Sequence, residues 1–203
     1  MPRHARAEQS RRQVLDAALR LFSHRGYRAT TVRDIAEEAG VSTGNVYHHF
    51  EEKEQIFRTL LDEFLAIRDS KRYPFTRVLA NGNFPDNLEQ LALAARDSVR
   101  EFRPYIALIY VDVIEFDGTH IQKFYGGLAQ RFTETLTGGG LQEIRQRLRG
   151  SVSPVSALLL ASRIFFNYFT MEILFNVPQP FGKDSLQMIQ EIADILRFGM
   201  VAK

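Results

Sequence analysis

Apolar positions recur at helical spacing along most of the chain, and the interruptions fall at glycine, proline and asparagine. Val14, Ala18, Leu21 and Phe22 line one face of a helix predicted over residues 7–25, with Arg11, Arg12, Asp16 and Arg20 on its other faces. Gly26 stands where a left-handed C-cap is expected, followed by Tyr27. Thr31 and Asp34 have the spacing of a capping box, so a second helix is predicted over 31–39, burying Ile35, Ala36 and Ala39 and ending at Gly40. Ser42 is a good N-cap for a short third helix reaching Phe50. Lys53 begins a fourth, whose Ile56, Phe57, Leu60, Leu61, Phe64 and Leu65 make a wide apolar stripe.

Residues 72–86 carry Pro74, Gly82 and Pro85 among asparagines and read as a linker. Beyond them the pattern predicts helices over 87–103, 105–116, 120–137, 141–149, 154–175 and 184–200. Pro104, Asp117–Gly118, Gly138–Gly140, Pro154, Pro178 and Pro180 are the breaks. The last two helices are apolar over more than half their circumference, which requires cover on two sides. One side is the subunit's own core, and the other suits a second copy of the chain. No strand is predicted, so the fold class is all-α.

Composition narrows the picture. The 203 residues are 45% hydrophobic and include no cysteine, which excludes disulfides and thiolate metal sites and fits a reducing, cytoplasmic setting. The two apolar stretches 105–116 and 155–177 are interrupted by Asp112 and Glu115, and by Arg163, Asn167 and Glu172, so both are read as buried helices and no membrane partner is expected. Net charge is only +2, but its distribution is uneven: Arg3, Arg6, Arg11, Arg12, Arg20, Arg25, Arg28 and Arg33 stand against Glu8 and Asp16 alone in the first 33 residues. A one-ended basic cluster suits a polyanion partner, or is simply a solvated tail.

Two short helices joined through Ala39-Gly40-Val41-Ser42 have the helix-turn-helix pattern. Small residues at 42–44 would let the third helix approach a DNA groove closely, Asn45 can pair with adenine, and Thr43 can meet a thymine methyl. Residues 11–57 resemble the DNA-binding domain of the tetracycline-repressor (TetR) family, matching at Gly26-Tyr27, Thr31, Ile35-Ala36, Ala39 to Ser42, Gly44, Tyr47, His49-Phe50 and Lys53-Glu54. The resemblance implies a helix-turn-helix DNA-binding domain over 1–53 and a helical effector-binding and dimerisation domain over 54–203. It implies base contacts from Arg33, Thr43, Gly44 and Asn45, joined by Ser42 at the helix start, and phosphate contacts from Thr31, Tyr47, His48, His49 and Lys53. Plainer roles stay open: core packing for Tyr47, surface charge for Arg33, helix capping for Thr31. Glu51 and Glu52 depart from the family pattern ahead of Lys53 and are expected to point away from DNA. Adjacent histidines on a helix diverge, so His48-His49 is not read as a metal site.

By the same resemblance the chain is expected to bind double-stranded operator DNA as a homodimer and to release it when a small apolar or aromatic effector enters the body. The alternative is a DNA-binding factor gated by a protein partner or not gated by a small molecule. Candidate effector contacts are Tyr105, Ile109, Asp112, Glu115, Phe116, Phe165 and Asn167; the plainer alternative is that the two acids pair with Arg163, Arg103 or Lys123, or simply meet solvent. Candidate dimer contacts are Phe169, Ile173, Ile189, Ile192 and Leu196. No phosphate loop, nucleophile elbow or metal-ligand spacing is present, so neither catalysis nor a cofactor is expected.

Overall fold

The computed structural model describes residues 3–81, 83–138 and 141–200. Gly82, Gly139 and Gly140, read as breaks, lie outside the described residues, as do Met1 and Pro2 of the first domain. Among the described residues the regular structure is helical: α1 (Arg3–Arg25), α2 (Val32–Ala39), α3 (Thr43–His49), α4 (Lys53–Arg68), α5 (Pro74–Leu79), α6 (Leu88–Glu101), α7 (Arg103–Glu115), α8 (Ile121–Tyr125), α9 (Leu128–Gly138), α10 (Leu141–Arg147), α11 (Pro154–Phe169) and α12 (Ser185–Met200), with a π-helical turn Thr170–Leu174 after α11.

The chain forms two compact units. The first contains Met1–Ala66 and Pro104–Phe124; the second contains Ile67–Arg103 and Tyr125–Lys203. This differs from the boundary at residue 53 expected from the sequence. Helix α4 continues unbroken to Arg68, and the α7 segment is built into the N-terminal unit through contacts far apart in sequence.

In the N-terminal unit, Val14, Leu15, Ala18 and Phe22 of α1 pack with Ile35, Ala36, Val46, Phe50, Ile56, Phe57 and Leu60, and Leu108 of α7 joins the same core. The core is aromatic at one end. Tyr27 and Phe116 have ring centroids 4.6 Å apart, and Phe116 stacks on Phe57 at 5.0 Å. Offset and edge-on ring contacts of this kind add to simple area burial.

In the C-terminal unit α6 is central, burying Leu88, Leu91, Ala92, Ala95 and Val99. Helices α5, α11 and α12 pack against it. Helix α5 lies inside the stretch read as a linker: Pro74 supplies the fixed φ favoured at a helix start, and Phe75 and Leu79 are buried. The single helix expected over 120–137 is instead two, α8 and α9, broken at Gly126–Gly127, where Gly127 takes φ +76°. Pro154–Leu174 is long and apolar enough to cross a membrane by length and composition; in this fold Ala157, Leu158, Ala161, Phe165 and Phe169 of that stretch are buried in the unit's core.

Candidate DNA-binding site

The exposed ridge of the N-terminal unit is built by local chemistry. Asp34 N–H donates to the Thr31 hydroxyl at 3.1 Å and Thr31 N–H donates to Asp34 Oδ2 at 2.7 Å, so the capping box is closed in both directions. Those bonds to the Thr31 side chain and backbone hold the Asp34 carboxyl below its ordinary pKa. Gly40 adopts φ 67° and ends α2, with Val41 N–H reaching back to Ala36 O at 3.0 Å. Asn45 N–H donates to the Ser42 hydroxyl at 3.1 Å, fixing the start of α3.

Helix α3 divides cleanly. Val46 and the following Phe50 are buried, anchoring it to α1 and α2. Ser42, Thr43, Gly44, Tyr47 and His48 are exposed, and Tyr47 shows 54% of its surface although it is large and aromatic. The core role left open for Tyr47 is therefore not the one it takes. A Cβ at Gly44 would meet only the Ser42 hydroxyl, at 3.9 Å. The Asn45 amide oxygen has no hydrogen-bond partner. Arg33 is exposed on α2.

His49 faces inward and its Nε2 lies 2.7 Å from the Ser10 hydroxyl, joining the first turns of α1 to the end of α3. Burial, and then the charges of His48 and Arg11, lower its pKa. Arg11 lies over the Phe50 ring at 5.2 Å, so α1 supports α3 at a second point.

Lys53 departs from its expected role. Its Nζ donates to Tyr27 O at 2.8 Å and to Thr30 O at 2.7 Å and lies 3.9 Å from the Tyr27 ring centroid. Two carbonyls of the turn between α1 and α2 hold the cation inward, and burial lowers its pKa against the opposing charges of Glu115 and Asp34. As placed, Lys53 braces the turn. Glu52 pairs with Arg58 at 3.0 Å, and Glu51 N–H donates to Gln55 Oε1 at 2.7 Å.

The acids offered as effector contacts are both held by the N-terminal unit. Glu115 accepts from Tyr27 N–H at 2.9 Å and Arg28 N–H at 2.6 Å, 87 to 88 residues away in sequence. Asp112 is fully buried and accepts from Ile121 N–H at 2.8 Å. His120 lies between Asp112 (2.6 Å) and Glu54 on α4 (3.4 Å). Neither Ser10 nor His120 was marked by spacing, because each acts across helices. Tyr105 stacks on Phe64 at 5.3 Å, while Ile109 and Phe116 pack in the same unit. Phe165 is core of the C-terminal unit and Asn167 is exposed on α11.

The candidate dimer contacts shift by register. Phe169, Ile189, Ile192 and Leu196 are buried within their own subunit and Ile173 is half-buried. The outward apolar side chains are others: Ile195 (70% exposed) and Phe198 (74%) on α12, with Leu160, Phe175 and Phe181. A helix apolar nearly all round gives no sequence signal for which stripe faces inward.

Residues 14–60 match the family of bacterial regulatory proteins, tetR family. The HTH-type transcriptional repressor KstR2 of Rhodococcus jostii (strain RHA1) is 37% identical over 106 residues, 52% of this chain and 50% of that repressor. The chain thus spans about half the length of the curated KstR2 relatives it matches. The HTH-type transcriptional regulator YfiR of Bacillus subtilis (strain 168) is 29% identical over 174 residues, 82% of this chain and 80% of that protein. The structure of the ketosteroid transcriptional regulator KstR2 of Mycobacterium tuberculosis has the same fold, with a TM-score of 0.59 at 24% identity over 95% of each chain. Residues 14–60 are thus similar to the DNA-binding part of the tetR family of bacterial regulatory proteins, and the all-helical architecture of the chain is that of a solved transcriptional regulator.

Proposed function

We propose that this protein is a transcriptional repressor that binds palindromic operator DNA as a homodimer and releases it when a small apolar or aromatic molecule binds its helical body. The observation that carries this reading is α3: a helix anchored by Val46 and Phe50 that presents Thr43, Gly44 and Tyr47 to solvent, with Gly44 leaving one side of its first turn without a side chain. Such a surface lets backbone approach base edges in the major groove. Thr43 and Asn45 read bases, joined by Arg33 from α2, while Tyr47, His48 and the Thr31 end of α2 meet phosphates and fix register. The basic first helix supplies the non-specific attraction.

A second copy of the chain covers the outward apolar side chains of the C-terminal unit. Ile195 and Phe198, three residues apart, share one face of α12. Large apolar side chains grouped on one exposed helix face suit a protein–protein contact. The switch has a route within the N-terminal unit. Any movement of α7 pulls on the α1–α2 turn through Glu115 and on α4 through Asp112, His120 and Glu54.

Selected-site enrichment from random duplex DNA tests the proposal. The expected product is a palindrome with half-sites about one helical turn, or a multiple, apart. Enrichment of single, unpaired half-sites, or none, would oppose it.

A further inference from the structure

We propose that the first turns of α1 form a second DNA contact outside the helix-turn-helix, held beside α3 by the bond between Ser10 and His49. In it Arg6 receives a phosphate of the duplex that flanks each half-site, and Arg11 a phosphate at the border. The inference rests on the repressor reading above.

The buried residues of α1 begin at Val14, and residues 4–13 ahead of it are exposed or half-buried. Several helical turns therefore extend without a core of their own. Their charge does not favour a helix either: the first turn has no acid, and basic side chains at a helix start oppose its dipole. Glu8 is the one acid between residues 3 and 15 and, two positions on, does not share a face with Arg6.

These turns are held by α3. Ser10 O–H donates to Ala7 O at 3.0 Å, which uses its single proton, so the 2.7 Å contact is a bond that His49 Nε2–H donates to the Ser10 oxygen. At the next residue the Arg11 guanidinium lies over the Phe50 ring. Both contacts fall at the end of α3, whose start presents Thr43 and Gly44. Arg6 stands one turn, about 5.4 Å, ahead of Ser10 on the same side of α1. A duplex lying along α3 and continuing past its end would meet these turns.

The arginines of α1 divide accordingly. Arg12 is held by Asp16 at 2.6 Å and Glu63 at 2.9 Å, and Arg20 by Glu38 at 2.9 Å. Arg6 and Arg11 are exposed, and among the described residues neither has a carboxylate partner. Exposed guanidiniums without an acid are matched by phosphate, which they hold through paired N–H donors and without regard to base sequence.

Fluorescence anisotropy of the full chain over a salt series tests this on two duplexes. One is a palindrome recovered by selected-site enrichment and cut at its outermost specified base pair; the other adds about one helical turn of arbitrary sequence at each end. The native protein should hold the longer duplex about fivefold more tightly or better. A dimer carries two such contacts, so Arg6→Gln should lower the slope of log affinity against log salt by about 2 on the longer duplex and little on the shorter. Ser10→Ala alters no charge and should lose part of the same preference. Arg20→Gln removes an equal charge from a paired position and should keep the preference for the longer duplex. Circular dichroism establishes that each variant is folded; Arg6 is exposed and unpaired, so its replacement leaves the fold intact. Equal native affinity for both duplexes, an unchanged slope in Arg6→Gln, or an equal loss in Arg20→Gln would overturn the flanking contact while leaving the repressor reading in place. A full preference retained by Ser10→Ala would overturn the tether through His49. Failure of the native protein to hold either duplex would refute the repressor reading and this inference with it.

Discussion

Replacing Glu115 with glutamine should destabilise the N-terminal unit by about 2–3 kcal/mol. The carboxylate receives two backbone N–H donors, from Tyr27 and Arg28, and its side chain is 13% exposed. Hydrogen bonds to an ionised acceptor contribute about 1.5–3 kcal/mol each, against about 1 kcal/mol for a neutral one. Glutamine keeps one carbonyl oxygen for two donors and turns an NH2 toward the other, leaving that donor unsatisfied. The nearby Arg28 guanidinium adds little, since it lies 4.0 Å away on a side chain 78% exposed. For a unit of this size each kcal/mol moves Tm by roughly 4–8 °C, so scanning calorimetry should show a fall on the order of 10 °C or more. The same loop contains Gly26, at φ 86°, where a Cβ would lie 2.5 Å from Glu115 Oε1. Gly26→Ala and Glu115→Gln should therefore be less than additive, because each disrupts the same contact. A fall under about 2 °C for Glu115→Gln, or full additivity of the pair, would refute this account of how α7 is held.

Three further outcomes follow from the same geometry. Tyr47→Phe should weaken binding to all DNA sequences about equally, whereas Asn45→Ala should relax choice at particular bases; fluorescence anisotropy on a panel of single-base operator variants separates the two. The pKa of His49 is lowered in the fold, so the unfolded chain binds the proton first as pH falls below about 6.5, and stability should decline across that interval until the folded histidine also titrates. Urea midpoints measured between pH 7.5 and 5 should show this decline reduced in His49→Gln. Ile195→Asp places a charge on the outward face of α12 and should shift the protein toward monomer in sedimentation equilibrium while leaving its helix content unchanged.

The parts of the fold legible in the sequence are those fixed by neighbours along the chain. Thr31 with Asp34, Gly40 and Ser42 each act over three or four residues, and each caps the helix expected of it. What was not legible depends on distance. Nothing near Glu115 announces Tyr27, and nothing near Lys53 announces the Thr30 carbonyl, so an acid and a base given to ligands are occupied by turns. Pro74, Gly82 and Pro85 disguised α5, a helix shorter than its punctuation suggested. In α12 apolar residues on nearly every face left the buried stripe undetermined, and the structure turns Ile189, Ile192 and Leu196 inward while Ile195 and Phe198 remain outside.

The approach of α3 to base edges is tested most directly by Gly44→Ala, because it sets stability against binding. Alanine is favoured over glycine within a helix by about 0.5–1 kcal/mol, and the space around Gly44 is open. The variant should thus melt no lower than the native protein, yet hold a selected palindromic duplex at least tenfold more weakly, because the added methyl stands between backbone and groove. Undiminished affinity in a protein of equal or greater stability would contradict the account.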